Sequence, residues 1–216
     1  AGLESLRSAY ALQASHPEFA GFRAKVPMMA TWDDHDYGLN DAGGNFPFRR
    51  WGEELFETFW ASSDAVRSRP GVYESSITGP EGARVQVILL DTRYFRSDLK
   101  RAAWTKDRPP LGGYLPDESL DSTMLGEAQW TWLEQELAKP ADLRIVVSST
   151  QVITTAHQFE GWTNMPVERN RLLQQTAEDL VSQTTGGGML GAVSLLGLSE
   201  PLLKDMARGY LAPDDA

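Results

Sequence analysis

The spacing of apolar and polar positions predicts helices near the start of the chain, with one strand between them. Residues 3–22 have a loose helical spacing, and residues 26–32 form a short apolar run of strand length. Large side chains then recur at three- and four-residue intervals, at Phe48, Trp51, Leu55, Phe56 and Phe59. This spacing predicts an amphipathic helix whose bulky face packs into a core.

A hairpin and two buried strands are predicted in the middle of the chain. Residues 72–78 and 84–90 flank the turn sequence Gly-Pro-Glu-Gly at 79–82, which is typical of a β-hairpin. The second of these runs ends as a continuous apolar stretch, and residues 143–147 form another buried strand. Such runs are expected of strands that are covered on both faces.

Two further helices complete the pattern. Residues 127–137 place large apolar side chains on one side, and Pro140 ends this helix. Pro166 suits the first turn of a helix that runs to about residue 180. Buried strands that alternate with helices, together with a hairpin, predict an α/β fold with mixed strand directions.

Polar clusters directly follow three of the apolar runs, at residues 33–36, 91–93 and 148–151. In open α/β sheets, ligands bind beyond the carboxyl ends of the strands. We therefore expect the acidic loop, Asp91 and Gln151 to lie on one edge of the sheet and to form a shared site.

The composition fits a globular protein and excludes several functions. The 216 residues are 41% hydrophobic and carry a formal net charge of −10, so binding to nucleic acid, which needs a basic face, is not expected. Because the chain has no cysteine, thiolate catalysis and Cys-ligated zinc are excluded. No apolar run approaches the ~20 residues that a membrane-spanning helix needs.

The acidic loop carries the clearest candidate chemistry. Asp33, Asp34 and Asp36 place three carboxylates in four residues, and their mutual repulsion favours binding of a cation. His35 adds a side chain that titrates near neutral pH and can donate a proton to a leaving oxygen. Asn40, on the same loop, offers a further oxygen ligand.

An acidic surface turn, in which Asp side chains cap backbone groups, is the alternative interpretation of this loop. An EF-hand is excluded, because a count from Asp34 places Leu39 where glycine is required and Asn45 where glutamate is required.

Several motifs resemble, in the same order, those of the alkaline phosphatase D (PhoD-like) family. The most distinctive is Trp32-Asp33-Asp34-His35-Asp36, with Asn40 and Asp41 following. Further similar stretches lie at residues 70–73, 87–96, 125–130, 148–152 and 162–172. The resemblance covers about residues 5 to 175.

The resemblance implies a partial calcineurin-like metallophosphoesterase fold, a sandwich of mixed β-sheets flanked by helices, with metals at strand ends. Asp34 takes the position of a metal ligand, His35 that of the histidine beside the phosphate, and Asp36 that of the trailing acid. Asp33 and Asn40 are the other candidate metal ligands. Iron with calcium is the expected metal set, and manganese, magnesium or zinc are alternatives.

The implied activity is metal-dependent hydrolysis of phosphate mono- and diesters, with a small phosphate ester as substrate. His35 would stabilise or protonate the departing oxygen, and Arg93 would bind a phosphate oxygen. A structural ion pair is the other interpretation of Arg93. The alternative function is a non-catalytic module that uses the acidic loop to bind calcium or a partner. The family implies a periplasmic or secreted location, and the oligomeric state is not indicated.

Two elements expected of the family are missing, one before Ala1 and one after the helix at 168–173. Residues 1–182 are predicted to form a partial phosphatase domain, and residues 183–216, with three consecutive glycines, a divergent and poorly ordered tail. We therefore expect an internal fragment with weak or no activity. His157 is a further loop histidine, expected either near the site or, as is usual for a lone loop histidine, simply solvated.

Overall fold

The computed structural model of the protein describes residues 3–103, 112–154 and 159–185. This part of the chain contains three strands, seven α-helices and one 3₁₀ turn. The strands are β1 (Glu74–Thr78), β2 (Val85–Leu89) and β3 (Leu143–Val147). The helices are α1 (Leu3–Ser15), α2 (Pro17–Arg23), α3 (Asp34–Tyr37), α4 (Arg49–Trp60), α5 (Asp64–Arg67), α6 (Gly126–Leu137) and α7 (Pro166–Thr185), and the 3₁₀ turn is Trp162–Asn164.

The strands form one mixed sheet in the order β1-β2-β3. The hairpin is confirmed, because β1 and β2 pair antiparallel, with Glu74 opposite Leu89. β3 pairs parallel with β2, with Leu143 opposite Val85. The predicted α/β class with mixed strand directions is therefore confirmed. The described residues contain this one sheet, and the two-sheet sandwich that the resemblance implies stays a prediction.

Two clusters of buried side chains form the core. The first packs α6, α7 and the 3₁₀ turn onto β2, and its buried members are Ile88, Leu90, Met124, Leu125, Trp130, Leu133, Leu137, Trp162, Met165 and Leu172. The second surrounds α3 and α4, and its buried members are Tyr10, Trp32, Tyr37, Phe46, Phe56, Val72 and Tyr94. The acidic loop of residues 33–36 is attached to this second cluster through Trp32 and Tyr37.

The prediction of a strand at residues 26–32 is wrong. The segment joins no sheet in the described part of the chain. A strand needs a ladder of backbone bonds to a neighbour, and side chains attach this segment instead. Thr31 Oγ1 donates to the carbonyl of Leu90 over 2.9 Å, and Trp32 is completely buried.

The single helix predicted at residues 3–22 is two helices in the structure. Pro17 lacks a backbone N–H and occupies the first position of α2, where that group would have no partner inside the helix. In α4 the predicted buried face is present at Phe56, whereas Phe48 precedes the helix as its N-cap and is 49% exposed.

The last helix is longer than its sequence pattern predicts. α7 continues past residue 180 to Thr185, so residues 183–185 of the predicted tail are helical. Residues 186–216 of that tail, and His157, lie outside the described residues. None of the helices in the described ranges is long and apolar enough to cross a membrane.

One carboxylate joins α7 to the start of α6. Glu168 is buried and accepts hydrogen bonds from Thr123 Oγ1, from Trp130 Nε1 at 2.7 Å, and from the backbone N–H groups of Met124 and Leu125. Four donors on two oxygen atoms use the full acceptor capacity of a carboxylate. This arrangement fixes the segment that connects the candidate site to α6.

Candidate metal centre

The acidic loop begins with one short helical turn, α3, whose start is held by its own side chains. The backbone N–H of Asp33 donates to Asp36 Oδ1 over 2.8 Å, and the hydroxyl of Tyr10 donates to the carbonyl of Asp36 over 3.0 Å. Trp32 points into the core and Tyr37 is fully buried, so the residues between them are presented at the surface. Two buried aromatic anchors therefore flank four polar residues, of which Asp33 and His35 are exposed and Asp34 and Asp36 are partly buried.

A buried carboxylate fixes this loop to the carboxyl end of β2. Asp91 Oδ1 accepts hydrogen bonds from Trp32 Nε1 at 2.8 Å and from the backbone N–H groups of Arg93 and Tyr94, while Oδ2 accepts from Val72 N at 3.0 Å. The acidic loop and Asp91 therefore lie on the same edge of the sheet, as expected. Asp91 serves there as an internal anchor, because all of these donors belong to the protein.

Three carboxylates converge at this edge. Asp33, Asp34 and Glu160 each contribute one oxygen, and these oxygens lie within 4.8 Å of one another. Asp34 is further oriented by two backbone donors, the N–H of His35 at 2.8 Å to Oδ1 and the N–H of Asp41 at 3.0 Å to Oδ2. One carboxylate of the group is therefore preorganised by the loop that carries it.

Two buried arginines neutralise part of this negative charge. Arg93 donates to Asp33 and to both oxygens of Glu160, and Arg96 NH1 donates to Glu160 over 2.6 Å. Burial acts to lower the pKa of Arg93, but the hydrogen bonds and charge of Glu160, followed by the charge of Asp33, outweigh it and raise the pKa. Arg93 is thus a permanently charged group inside the cluster.

The arginines also fasten the acidic loop. Arg96 NH2 donates to the carbonyl of Asp41, and Arg93 NH1 lies 3.5 Å from the carbonyl of Ala42. The carboxylate of Asp41 in turn accepts a hydrogen bond from the hydroxyl of Tyr114. The loop is therefore held from two sides without the help of a metal.

His35 and Asn40 lie on the outer side of the loop. The side chain of His35 is 79% exposed, and its Nε2 lies 3.7 Å from Asp34 Oδ2 and 3.3 Å from Asn40 Oδ1. The imidazole therefore faces solvent on the outer side of the loop. Asn40 contacts this histidine, so the structure brings Asn40, His35 and Asp34 together.

Asp36 has a different environment from its neighbours. Its Oδ1 caps the backbone of Asp33, and burial raises its pKa to about 6, although backbone hydrogen bonds act against that shift. Within the described residues, Asp36 is not one of the converging carboxylates. Its observed contacts are those of a residue that shapes the loop.

The polar run after β3 forms a hydroxyl cluster next to β2. Ser149 Oγ lies 2.8 Å from Thr92 Oγ1, and Trp162 Nε1 donates to Ser148 Oγ over 2.9 Å. Gln151 is exposed, and its carbonyl accepts the N–H of Trp162 at 3.0 Å. This run joins the sheet to the loop that carries Glu160.

Sequence reasoning missed Glu160. It is the one acidic residue in its part of the loop after β3, between Phe159 and Gly161. A single acidic residue in a loop is too common to indicate a site. Its significance comes from a contact with Arg93 that spans 67 positions in the chain. In the sequence, Arg96 stands out only as the last residue of the family-like stretch at 87–96. In the structure, its carboxylate partner is again Glu160.

The donor set suits a hard cation. Carboxylate oxygens are the ligands that calcium, magnesium, manganese and iron prefer, and Asp33, Asp34 and Glu160 supply three of them at close range. Within the described part of the chain, the Nε atoms of both arginines are buried without a hydrogen-bond partner. These N–H groups are donors, so they are suited to an anion and not to the cation.

Comparison with known proteins identifies the family of the chain. A family profile described as PhoD-like phosphatase matches residues 72–185, which is more than half of the chain. The chain belongs to the PhoD-like phosphatase family. The matched region contains Arg93, Arg96 and Glu160, and it begins after the loop that carries Asp33 and Asp34.

A solved structure of PhoD has the same fold over much of this chain. The two align with a TM-score of 0.50 at 18% sequence identity, over 71% of this chain and 32% of the PhoD chain. The chain therefore spans about a third of the length of that PhoD structure. At this identity the similarity concerns the fold alone. No curated protein matches the chain.

Proposed function

We propose that this chain carries the carboxylate side of a metal centre that hydrolyses phosphate mono- and diesters. The observation that supports the proposal is the convergence of Asp33, Asp34 and Glu160 within 4.8 Å, at the sheet edge where α/β proteins bind ligands. Membership in the PhoD-like phosphatase family supports the reaction class.

Asp33, Asp34 and Glu160 would hold the metal, with the amide oxygen of Asn40 as a further ligand from the same loop. Hard oxygen ligands favour calcium together with iron, and manganese, magnesium or zinc are the alternatives. A metal bound there supplies Lewis-acid chemistry, since it polarises a phosphate ester and lowers the pKa of bound water.

The remaining residues have separate roles. His35, which is exposed beside Asp34, would give a proton to the departing oxygen of the ester. Arg93 would bind a phosphate oxygen through its planar guanidinium. Asp36 acts as a positioning residue, because its carboxylate fixes the backbone of Asp33 at the start of α3.

A non-catalytic calcium-binding module is the second candidate. The observation that favours it is that Arg93, the residue proposed to bind phosphate, is already paired with Asp33 and Glu160, while Asp34 keeps an oxygen beside them for a cation. Such a module binds a cation but gains no affinity for phosphate when the cation is bound.

Calorimetric titration separates the two candidates. Ca²⁺ and Mn²⁺ are titrated into the chain and into the Asp34→Asn variant, with and without methylphosphonate, a phosphate analogue that cannot be hydrolysed. We expect metal dissociation constants of about 10⁻⁴–10⁻³ M, weaker binding in Asp34→Asn, and binding of methylphosphonate only when metal is present. Turnover of bis-p-nitrophenyl phosphate should be weak or absent for this chain.

Metal binding without any gain in methylphosphonate affinity would favour the non-catalytic module. Absence of metal binding, or equal binding by Asp34→Asn, would reject both candidates. Asp98→Asn serves as the matched control, because Asp98 is an exposed carboxylate in the loop after β2.

A further inference from the structure

Arg93 uses the same carboxylates that a metal would need. It donates to Asp33 and to both oxygens of Glu160, and these are two of the three residues in the converging group. A cation that binds between the carboxylates must therefore replace part of this pairing. Arg96 is different, since its observed carboxylate partner is Glu160 alone.

The arginines are buried and cannot move far. The side chain of Arg93 is 0% exposed and that of Arg96 is 1% exposed. Contacts with the carbonyls of Ala42 and Asp41 keep both guanidiniums against the acidic loop. Arg93 thus remains next to the site even if its contact with Asp33 is broken.

The charge count shows what each state requires. Three carboxylates face two guanidiniums, which leaves one net negative charge. A buried guanidinium that loses its carboxylates is costly, because an unpaired charge in a poorly solvated site is strongly unfavourable. When a cation takes those carboxylates, Arg93 needs another anion, and a phosphate group is suitable in shape and charge.

We propose that Arg93 is a built-in counter-ion that competes with the metal for Asp33 and Glu160, and that metal binding releases it to bind the substrate phosphate. This inference rests on the proposed function and specifies how the two ligands are coupled. Metal and phosphate then bind cooperatively, because each supplies the charge that the other displaces. Arg96 stays on Glu160 and keeps that carboxylate in position.

Substitution of Arg93 tests the competition directly. Ca²⁺ is titrated calorimetrically into the wild-type chain, Arg93→Gln and Arg93→Lys, with Arg171→Gln as control, because Arg171 pairs with Glu134 in a separate, more exposed ion pair. Removal of one positive charge at close range should tighten Ca²⁺ binding by about tenfold or more in Arg93→Gln. Arg93→Lys should lie between this variant and the wild type, since an ammonium makes no bidentate pair.

The second readout is the coupling between ligands. Methylphosphonate should tighten Ca²⁺ binding by the wild type and by Arg171→Gln, and this coupling should be reduced in Arg93→Gln. By linkage, Ca²⁺ must then tighten methylphosphonate binding by the same factor. Circular dichroism of each variant establishes that it is folded, and Arg93→Lys carries the test if Arg93→Gln does not fold.

Two outcomes separate this inference from the proposed function. If the wild type binds Ca²⁺ and both Arg93 variants bind it equally or more weakly, Arg93 only positions the carboxylates; competition is then rejected while the metal centre stands. If neither the wild type nor the variants bind Ca²⁺, both ideas are rejected.

Discussion

Trp32 Nε1 donates a hydrogen bond of 2.8 Å to Asp91 Oδ1, and both residues are completely buried. The indole precedes the acidic loop, and the carboxylate follows β2, so this single bond joins the two parts of the site. The same carboxylate also accepts hydrogen bonds from the backbone N–H groups of Val72, Arg93 and Tyr94. It therefore fixes the backbone just before β1 and just after β2.

Loss of this anchor should destabilise the protein. Asp91→Ala leaves several buried donors without an acceptor, and we expect the free energy of unfolding to fall by about 3 kcal/mol or more. Urea denaturation measures the change. Asp98→Ala, which removes an exposed carboxylate from the same loop, should change stability by no more than about 0.5 kcal/mol. Equal stability of the two variants would refute the anchoring role of Asp91.

The connection between α6 and α7 should depend on the charge of Glu168. In Glu168→Gln, an amide N–H₂ replaces one acceptor oxygen and faces donors such as the backbone N–H of Met124 or the indole of Trp130. We expect a loss of about 2 kcal/mol in the free energy of unfolding. Thermal or urea unfolding checks this, with Glu127→Gln as control because Glu127 is exposed at the start of α6.

The pH dependence of stability should include a contribution from Glu53. Burial raises the pKa of this carboxyl from 4.5 to about 7, against the opposing effects of the Gly71 hydrogen bond and of Arg50. Between these values the folded protein keeps a proton that the unfolded chain has lost. The contribution of Glu53 to the free energy of unfolding is therefore full below pH 4.5 and decreases as the pH rises through 7.

Glu53→Gln tests this sign, because the variant cannot titrate. The difference in unfolding free energy between wild type and variant, measured by urea denaturation from pH 4.5 to 8, should shift in favour of the variant as the pH rises. Asp36, whose pKa is raised to about 6 by burial, contributes with the same sign in both proteins and cancels in this difference. A difference that is flat with pH would contradict the assignment.

His35 should matter for chemistry and little for structure. Its side chain is 79% exposed, so His35→Ala should leave the melting temperature and the Ca²⁺ affinity nearly unchanged. In a longer PhoD-like protein with this loop, the same change should lower turnover by about 10²-fold, the lower end of the range typical of general acid catalysis. If metal affinity and turnover fell together, His35 would instead be a metal ligand.

Local patterns were sufficient for the elements that complete their hydrogen bonds nearby. The hairpin and α6 were predicted because the turn sequence and the apolar spacing determine them within a dozen residues. β3, which pairs with the distant β2, was predicted from its apolar run alone. The segment at residues 26–32 was predicted wrongly, since an apolar run does not show whether a neighbouring strand is available to pair with it.

The candidate site was only partly accessible from the sequence. The sequence shows that Asp33 and Asp34 are crowded in one loop. It also shows the apolar strand that leads to Arg93. The contact of Arg93 with Glu160 depends on how two distant loops fold back on the sheet. No local pattern specifies such a contact, so the sequence left Arg93 open between a phosphate ligand and a structural ion pair, and it indicated neither Asp33 nor Glu160 as its partner.

The most direct test of the metal centre is a calorimetric Ca²⁺ titration of Glu160→Gln beside Glu118→Gln. Both variants lose one negative charge, but Glu118 is exposed and is not part of the converging group in the described residues, whereas Glu160 meets Asp33 and Asp34 there. The account predicts that Glu160→Gln weakens Ca²⁺ binding by about tenfold or more, and that Glu118→Gln binds as the wild type does. Equal affinity of the two variants would contradict the proposed metal centre.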